Sequence, residues 1–274
     1  MGQQAQEFER RGIRVAAVTY DTPAILADFA RRKSLAYPLL ADPRSEAIRA
    51  FGILNTNIPA NSPFHGVPFP VTYLLDRNGI VRKKYFEEDY RERLTAAAIL
   101  TREFNVAGGA VAQETTTHHL TLRATVSNPT VWPGSVVTLR VEVEPKPGMH
   151  VYAPEVDGYL PVRWSMTDTP AWLAAKPRFP ASRQLRLPAI NETVAVYDKP
   201  FAAERELTIG QSNELKAQLG TATEAVVTGE FFYQACDEKV CYLPQRIPLT
   251  FRLKLNELDR QRAPVEVRAG KGPE

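Results

Sequence analysis

From Leu120 to Leu255 the chain is written in short runs in which apolar and polar residues alternate. LTLRATV (120–126), VVTLRVEVE (136–144), HVYAP (150–154), VRWSMT (162–167), RELTIG (205–210), AVVTGEFFYQA (225–235) and IPLTFRLKL (247–255) follow one another with proline and glycine between them. A period of two places alternate side chains on opposite faces of a strand. Seven or so such strands, rich in β-branched and aromatic residues, predict an all-β sandwich over 119–256.

The first 107 residues carry a different rhythm. Gln3–Arg11 is polar, helix-favouring and closed by Gly12, and Ile13–Thr19 is an apolar run suited to a strand covered on both faces. Thr22-Pro23 opens a helix, with Thr as N-cap and Pro at the first helical position, and Ile25, Leu26, Phe29 and Ala30 form its apolar stripe. A short strand at Tyr37–Leu40 precedes a helix over Pro43–Phe51 ended by Gly52. Val71–Leu75 and Ile80–Phe86 are strands joined by the turn Asp76–Gly79, and an amphipathic helix over Tyr90–Phe104 closes the segment. This order predicts an α/β sandwich. Residues 108–118 are small, polar and aperiodic, and read as a linker; 257–274 are charged, with proline and glycine, and read as a frayed tail.

Composition sets bounds on partners. The 274 residues are 44% hydrophobic and 24% charged, with a net charge of +3 and no long basic run, so a nucleic-acid partner is not indicated. No stretch approaches the ~20 apolar residues of a membrane span. The amino terminus, MGQQAQEFERRG, lacks the apolar core of a secretory signal, and Gln6 stands where a myristoylation signal has Ser or Thr.

Only two residues could carry electrons, Cys236 and Cys241. The runs on either side of them read as strands, and the four residues between them make a connection of hairpin length. Facing positions on antiparallel strands lie about 4.5–5.5 Å apart, close enough for a disulfide, whereas a helix would turn the same two residues about 140° apart. Closing so small a loop removes little chain entropy, roughly 2 kcal/mol against ~4–5 for a long loop. Three uses stay open: a reversible redox pair, a local staple, and free thiols. Two acids and one lysine between the cysteines do not favour a thiolate, which suits a disulfide that is attacked. His65, His118, His119 and His150 lack paired ligand spacing, so no metal site is expected, and neither Ser135 nor Ser165 has a nucleophile's signature.

YQACDEKVCYLP, with Pro147–Tyr152, Gly158–Pro161 and Trp164 upstream, resembles the DsbD amino-terminal domain family, immunoglobulin-like modules that exchange electrons between thiols and disulfides. Some members have five residues between the cysteines, where this chain has four. The resemblance implies that Cys236 and Cys241 are catalytic, with His150, Tyr152, Ile190 and Tyr233 around them. His150 and Tyr152, two apart on a strand, share a face. Ile190 would be the apolar side chain of a loop shielding the disulfide. The implied partner is a thioredoxin-like or membrane-embedded thiol–disulfide carrier, with no cofactor, in an extracytoplasmic compartment such as the periplasm; a missing amino-terminal piece is the accompanying expectation.

PFPVTYLLDRNG, VAAVTYD and FGILN resemble the AhpC/TSA peroxiredoxin family, of thioredoxin-like fold. The resemblance makes Pro70 a candidate cis-proline. It also implies that the family's first strand and cysteine-bearing loop are lacking, since no cysteine precedes Cys236. The sheet of this half should then be gapped or weakened. The functional expectation is a thiol–disulfide oxidoreductase fused to a redoxin-like half without its own cysteine. The alternatives are a non-catalytic binding module braced by a structural disulfide, and a fragment of a peroxiredoxin-type enzyme.

Overall fold

The computed structural model describes residues 2–62, 64–86, 91–104, 110–187, 191–259 and 261–268. It divides into two compact units, 1–96 with 258–274, and 97–257. The division falls before residue 107, because most of the helix Ala96–Phe104 goes with the second unit, where Arg102 pairs with Glu206. That helix, expected from Tyr90, begins at Ala96, and residues 91–95 are not helical; residues 87–90, Tyr90 included, lie outside the described ones. The tail is not simply frayed. Asp259 pairs with Lys33, and Val265–Arg268 forms a short helix in the first unit.

In the first unit, helices Gly2–Arg10, Pro23–Lys33 and Glu46–Ala50 alternate with short strands. Thr22 is extended at the N-cap and Pro23 opens the second helix, whose lost N–H has no helical partner to miss. Ala17–Thr19 pairs in parallel with Leu39–Ala41, and Val71–Leu75 pairs antiparallel with Val81–Phe86. Among the described residues these two pairs are not joined into one sheet. Among the described residues these strands do not make the continuous layer of an α/β sandwich. Val18, Leu40, Leu75 and Val81 are exposed, as apolar strand residues become when a covering neighbour is lacking. Pro70 follows a trans bond, since there is no cis peptide among the described residues. A cis X-Pro bond costs about 0.5–1 kcal/mol unless its surroundings enforce it.

The second unit is almost all β. One sheet runs in the order Trp172–Ala174, Phe201–Ile209, Ser135–Pro145, Leu120–Val126, Ala110–Thr116. A second runs Arg163–Met166, Glu224–Tyr233, Gln245–Leu255, Thr130–Val131, and a third runs Arg183–Leu187, Glu192–Tyr197, His150–Tyr152, Ala235–Cys236. Leu122, Leu139 and Val141 of the first share a core with Phe231, Leu249 and Phe251 of the second and Val151 of the third, which makes the unit a sandwich. Alternation is strict where one face is covered; along Phe201–Ile209 every second residue is buried. The presumed linker is instead largely a strand. Ala110–Thr116 pairs antiparallel with Leu120–Val126, and the Gln113 amide donates to the Pro248 carbonyl at 2.8 Å. As an edge strand it meets solvent on much of its surface, so its alternation is faint.

Gly229 occupies the middle of the strand Glu224–Tyr233, facing Met166 on one side and Leu249 on the other. A methyl group there would lie 2.5 Å from the Ser165 carbonyl oxygen and closer still to the Met166 sulfur. Gly229→Ala should destabilise this unit by about 1–3 kcal/mol through overpacking. The measurement is the thermal midpoint, at roughly 2–4 °C per kcal/mol for a domain of this size. An unchanged midpoint would contradict the close packing.

Candidate functional site

The strands Glu224–Tyr233 and Gln245–Leu255 form an antiparallel hairpin whose ladder ends at Tyr233 opposite Gln245. Beyond Tyr233 the chain leaves this sheet. Ala235–Cys236 pairs instead with Val151 and His150, so Cys236 stands across from His150 in another sheet. The chain then folds back on itself, and Cys241 faces Cys236 in an isolated antiparallel bridge with their Cα atoms 4.0 Å apart. Their sulfurs are bonded, and there is no free cysteine. The face-to-face arrangement expected of the hairpin is present, on a small ribbon at its tip and not within the main ladder.

Asp237 shapes the turn between the cysteines. Its Oδ1 accepts the backbone N–H groups of Lys239 (2.7 Å) and Val240 (2.8 Å), and its Oδ2 accepts the Tyr242 hydroxyl at 2.7 Å. These donors hold the Asp237 carboxyl below the usual range, with the bonds from Val240 and Lys239 the largest causes. The same contact pushes the Tyr242 phenol up, since it donates to an anion.

The two cysteines meet different surroundings. Cys236 is 1% exposed and packs with Tyr152, Val194 and Val196. Cys241 is exposed, between Val240 and Tyr242, and the next residue, Leu243, is 86% exposed. The Tyr152 hydroxyl lies 3.5 Å from the Cys241 sulfur and 3.6 Å from that of Cys236. A disulfide sulfur carries no proton, so this hydroxyl is the donor. Burial, and then the charge of Glu192, pushes the Tyr152 phenol up and keeps it protonated. Tyr159 stacks on Tyr152 with ring centroids 4.4 Å apart and donates its hydroxyl to Glu192, which pushes its own phenol up to about 12.

Of the residues expected around the pair, His150 and Tyr152 are brought to it. The His150 ring stands edge-on to Tyr152, centroids 5.7 Å apart. Tyr233 is not brought to the sulfurs. It lies in the main core, and its hydroxyl bonds Thr117 and Gln245. Ile190 lies outside the described residues, and Pro70 belongs to the other unit. Asp237, Tyr242 and Glu192 were missed. For Asp237 the signal was there to use: an aspartate two and three residues before turn N–H groups is a common turn former. No group of three His, Cys, Asp or Glu side chains that could hold a metal occurs among the described residues, and no described helix is long and apolar enough to cross a membrane.

His150 is 5% exposed, and its Nε2 has no partner among the described residues. Burial holds its imidazole below the usual histidine range, against the pull of Asp198 and Asp237 and with the help of Arg183. The unfolded chain therefore takes up this proton first. Stability is full above about pH 6.5 and is lost as pH falls through that value towards the folded one. In His150→Phe that loss should vanish. Urea midpoints compared at pH 7.5 and 5.5 should shift in the variant's favour as acid increases. A difference independent of pH would deny the buried neutral imidazole.

Two family models match the chain. Residues 118–252 match "Thiol:disulfide interchange protein DsbD, N-terminal", and residues 1–84 match "AhpC/TSA family". No curated protein matches. Among solved structures, the N-terminal periplasmic domain of ScsB from Proteus mirabilis is similar at 16% identity and a TM-score of 0.33, over 60% of this chain and 57% of that one. The DsbD N-terminal domain of Neisseria meningitidis, in the reduced form, is similar at 14% identity and a TM-score of 0.28, over 42% of this chain and 77% of that one. The fimbrial subunit AggA of Escherichia coli overlays at 13% identity and a TM-score of 0.27, over 53% of this chain and 100% of that one. Overlays this loose decide nothing; the family matches are the comparison that bears on the site.

Proposed function

We propose, for a chain that joins an AhpC/TSA-family segment to a DsbD N-terminal segment, that Cys236 and Cys241 form a two-electron shuttle between protein partners. The observation that carries this reading is the unequal setting of the two sulfurs, one exposed and one buried beside a phenol that stays protonated. A thiolate of a dithiol protein attacks the exposed Cys241 sulfur. The Cys236–Cys241 bond breaks, a mixed disulfide forms between Cys241 and the partner, and Cys236 leaves as a thiolate. The Tyr152 hydroxyl donates to that thiolate as it forms. His150, across the ladder from Cys236, stays a neutral imidazole there and brings no charge to the pocket. The partner's second thiolate then attacks its own sulfur, leaving as a disulfide, and Cys241 is released and protonated. The partner has lost two electrons and the pair has gained them; the same steps in reverse pass them to a second protein disulfide.

The partners this chemistry fits are thioredoxin-like carriers, soluble or membrane-embedded, in a compartment outside the cytoplasm, where a disulfide can persist. The first unit is assigned to the redoxin class of thioredoxin-like folds. Peroxide reduction needs a thiolate nucleophile, and no cysteine precedes Cys236 in this sequence. An inert brace is the rival reading, and the exposure of Cys241 speaks against it.

Single-cysteine variants test the assignment. Cys236→Ser leaves an accessible thiol at Cys241, which should form a mixed disulfide with an aromatic disulfide reagent or an oxidised thioredoxin-like protein. Cys241→Ser leaves only the buried thiol and should react at least about tenfold more slowly. Equal rates, or a reduction potential for the intact pair below about −300 mV, would leave only the brace.

A further inference from the structure

The residue after each cysteine is tied to the other. Asp237 follows Cys236, Tyr242 follows Cys241, and the tyrosine hydroxyl donates to the aspartate Oδ2 across the turn. The remaining groups close the same loop. Tyr242 N–H donates to the Ala235 carbonyl at 2.9 Å, and the Tyr242 carbonyl accepts the Gln234 amide at 3.0 Å. None of these bonds involves a sulfur, so none needs the disulfide to exist.

On its other side the Tyr242 ring meets His119, with ring centroids 4.5 Å apart and planes tilted by 35°. His119 is 8% exposed and comes from the turn between the edge strand Ala110–Thr116 and Leu120–Val126. Its backbone is held from both directions. Its N–H donates to Thr117 Oγ1 at 3.2 Å, and its carbonyl accepts the Lys146 N–H at 2.8 Å. Thr117 Oγ1 in turn meets the Tyr233 hydroxyl at 2.9 Å, at the end of the ladder from which the cysteine ribbon springs. The ring beneath Tyr242 is thus anchored in the sandwich, apart from the cysteine loop.

We propose that Asp237, Tyr242 and His119 form a non-covalent clasp that keeps the two sulfurs facing each other when the disulfide is open. Closing the disulfide and closing the clasp demand the same loop geometry, so each favours the other by the same factor. The three are positioning residues. They act by raising the effective concentration of one thiol at the other, with no contact to a reacting sulfur. This inference deepens the exchange reading and rests on it.

The test is the equilibrium constant of the disulfide in the full chain, titrated against glutathione buffers. Tyr242→Phe keeps the ring on His119 and deletes only the hydroxyl. The constant should fall about tenfold, a rise in reduction potential of about 30 mV for a two-electron couple. His119→Ala should lower it about threefold, and His119→Phe, which restores an aromatic face, should recover the parent value. An unchanged constant in Tyr242→Phe overturns the clasp, as does a His119→Phe variant no better than His119→Ala. The titration needs no protein partner. Failure of the parent chain to exchange with any dithiol protein would sink the shuttle, whereas an unmoved constant in these variants sinks the clasp alone.

Discussion

Between Tyr233 and Gln245 the chain leaves the sheet built by its own hairpin and lends Ala235–Cys236 to a neighbouring one. The backbone groups of a buried segment must find partners, and here the partners are on His150 and Val151. Cys236 is fixed by that pairing, and its side chain is pressed among Tyr152, Val194 and Val196. Cys241 bridges back to Cys236 on the short ribbon and stays at the surface. The unequal accessibility of the sulfurs is thus a consequence of strand exchange between sheets, before any special residue is invoked.

Burial dominates the electrostatics around the buried sulfur. Desolvation is the leading cause of the shifts at both His150 and Tyr152, and it acts oppositely on a base and an acid. The imidazole is held low and the phenol is pushed up, so both are neutral near pH 7. A neutral disulfide sits in such a pocket without penalty, whereas a buried Cys236 thiolate would be poorly solvated except for the Tyr152 hydroxyl. The open state is therefore biased towards proton uptake or towards closing again. The formal charges nearby are engaged elsewhere: Asp237 on turn N–H groups and Tyr242, Glu192 on the Tyr159 hydroxyl, and Asp198 on Arg183.

Much of this was legible in the sequence because a period of two is a direct record of which face is covered. The runs at 120–126, 136–144, 225–235 and 247–255 all became strands of the sandwich, and the turn-length spacing of the cysteines gave the disulfide. What failed did so where no such record exists. Ala110–Thr116 is an edge strand with little buried, so it carries weak alternation and resembled a linker. Tyr233 sits three residues before Cys236, yet strand geometry and the switch of sheets send it to the core, where it bonds Thr117 and Gln245. Proximity in sequence cannot show that switch. His119 was read only as a poor metal ligand, because its role depends on a ring contact more than a hundred residues along the chain.

On the proposed reading the cysteine pair opens and closes, so it cannot also be what holds its domain together. The loop closed here spans five positions, and its entropic contribution is roughly 2 kcal/mol at most. The core behind it joins residues of three sheets, and a single buried Leu in such a core is worth a comparable amount when truncated. Reduction therefore touches a small ribbon and leaves the sandwich standing. Among the described residues of the first unit, four strands form two separate pairs, with apolar residues exposed on them. Stability in the second unit is concentrated around the cysteine loop and not across the bond, which is the arrangement that the proposed exchange requires.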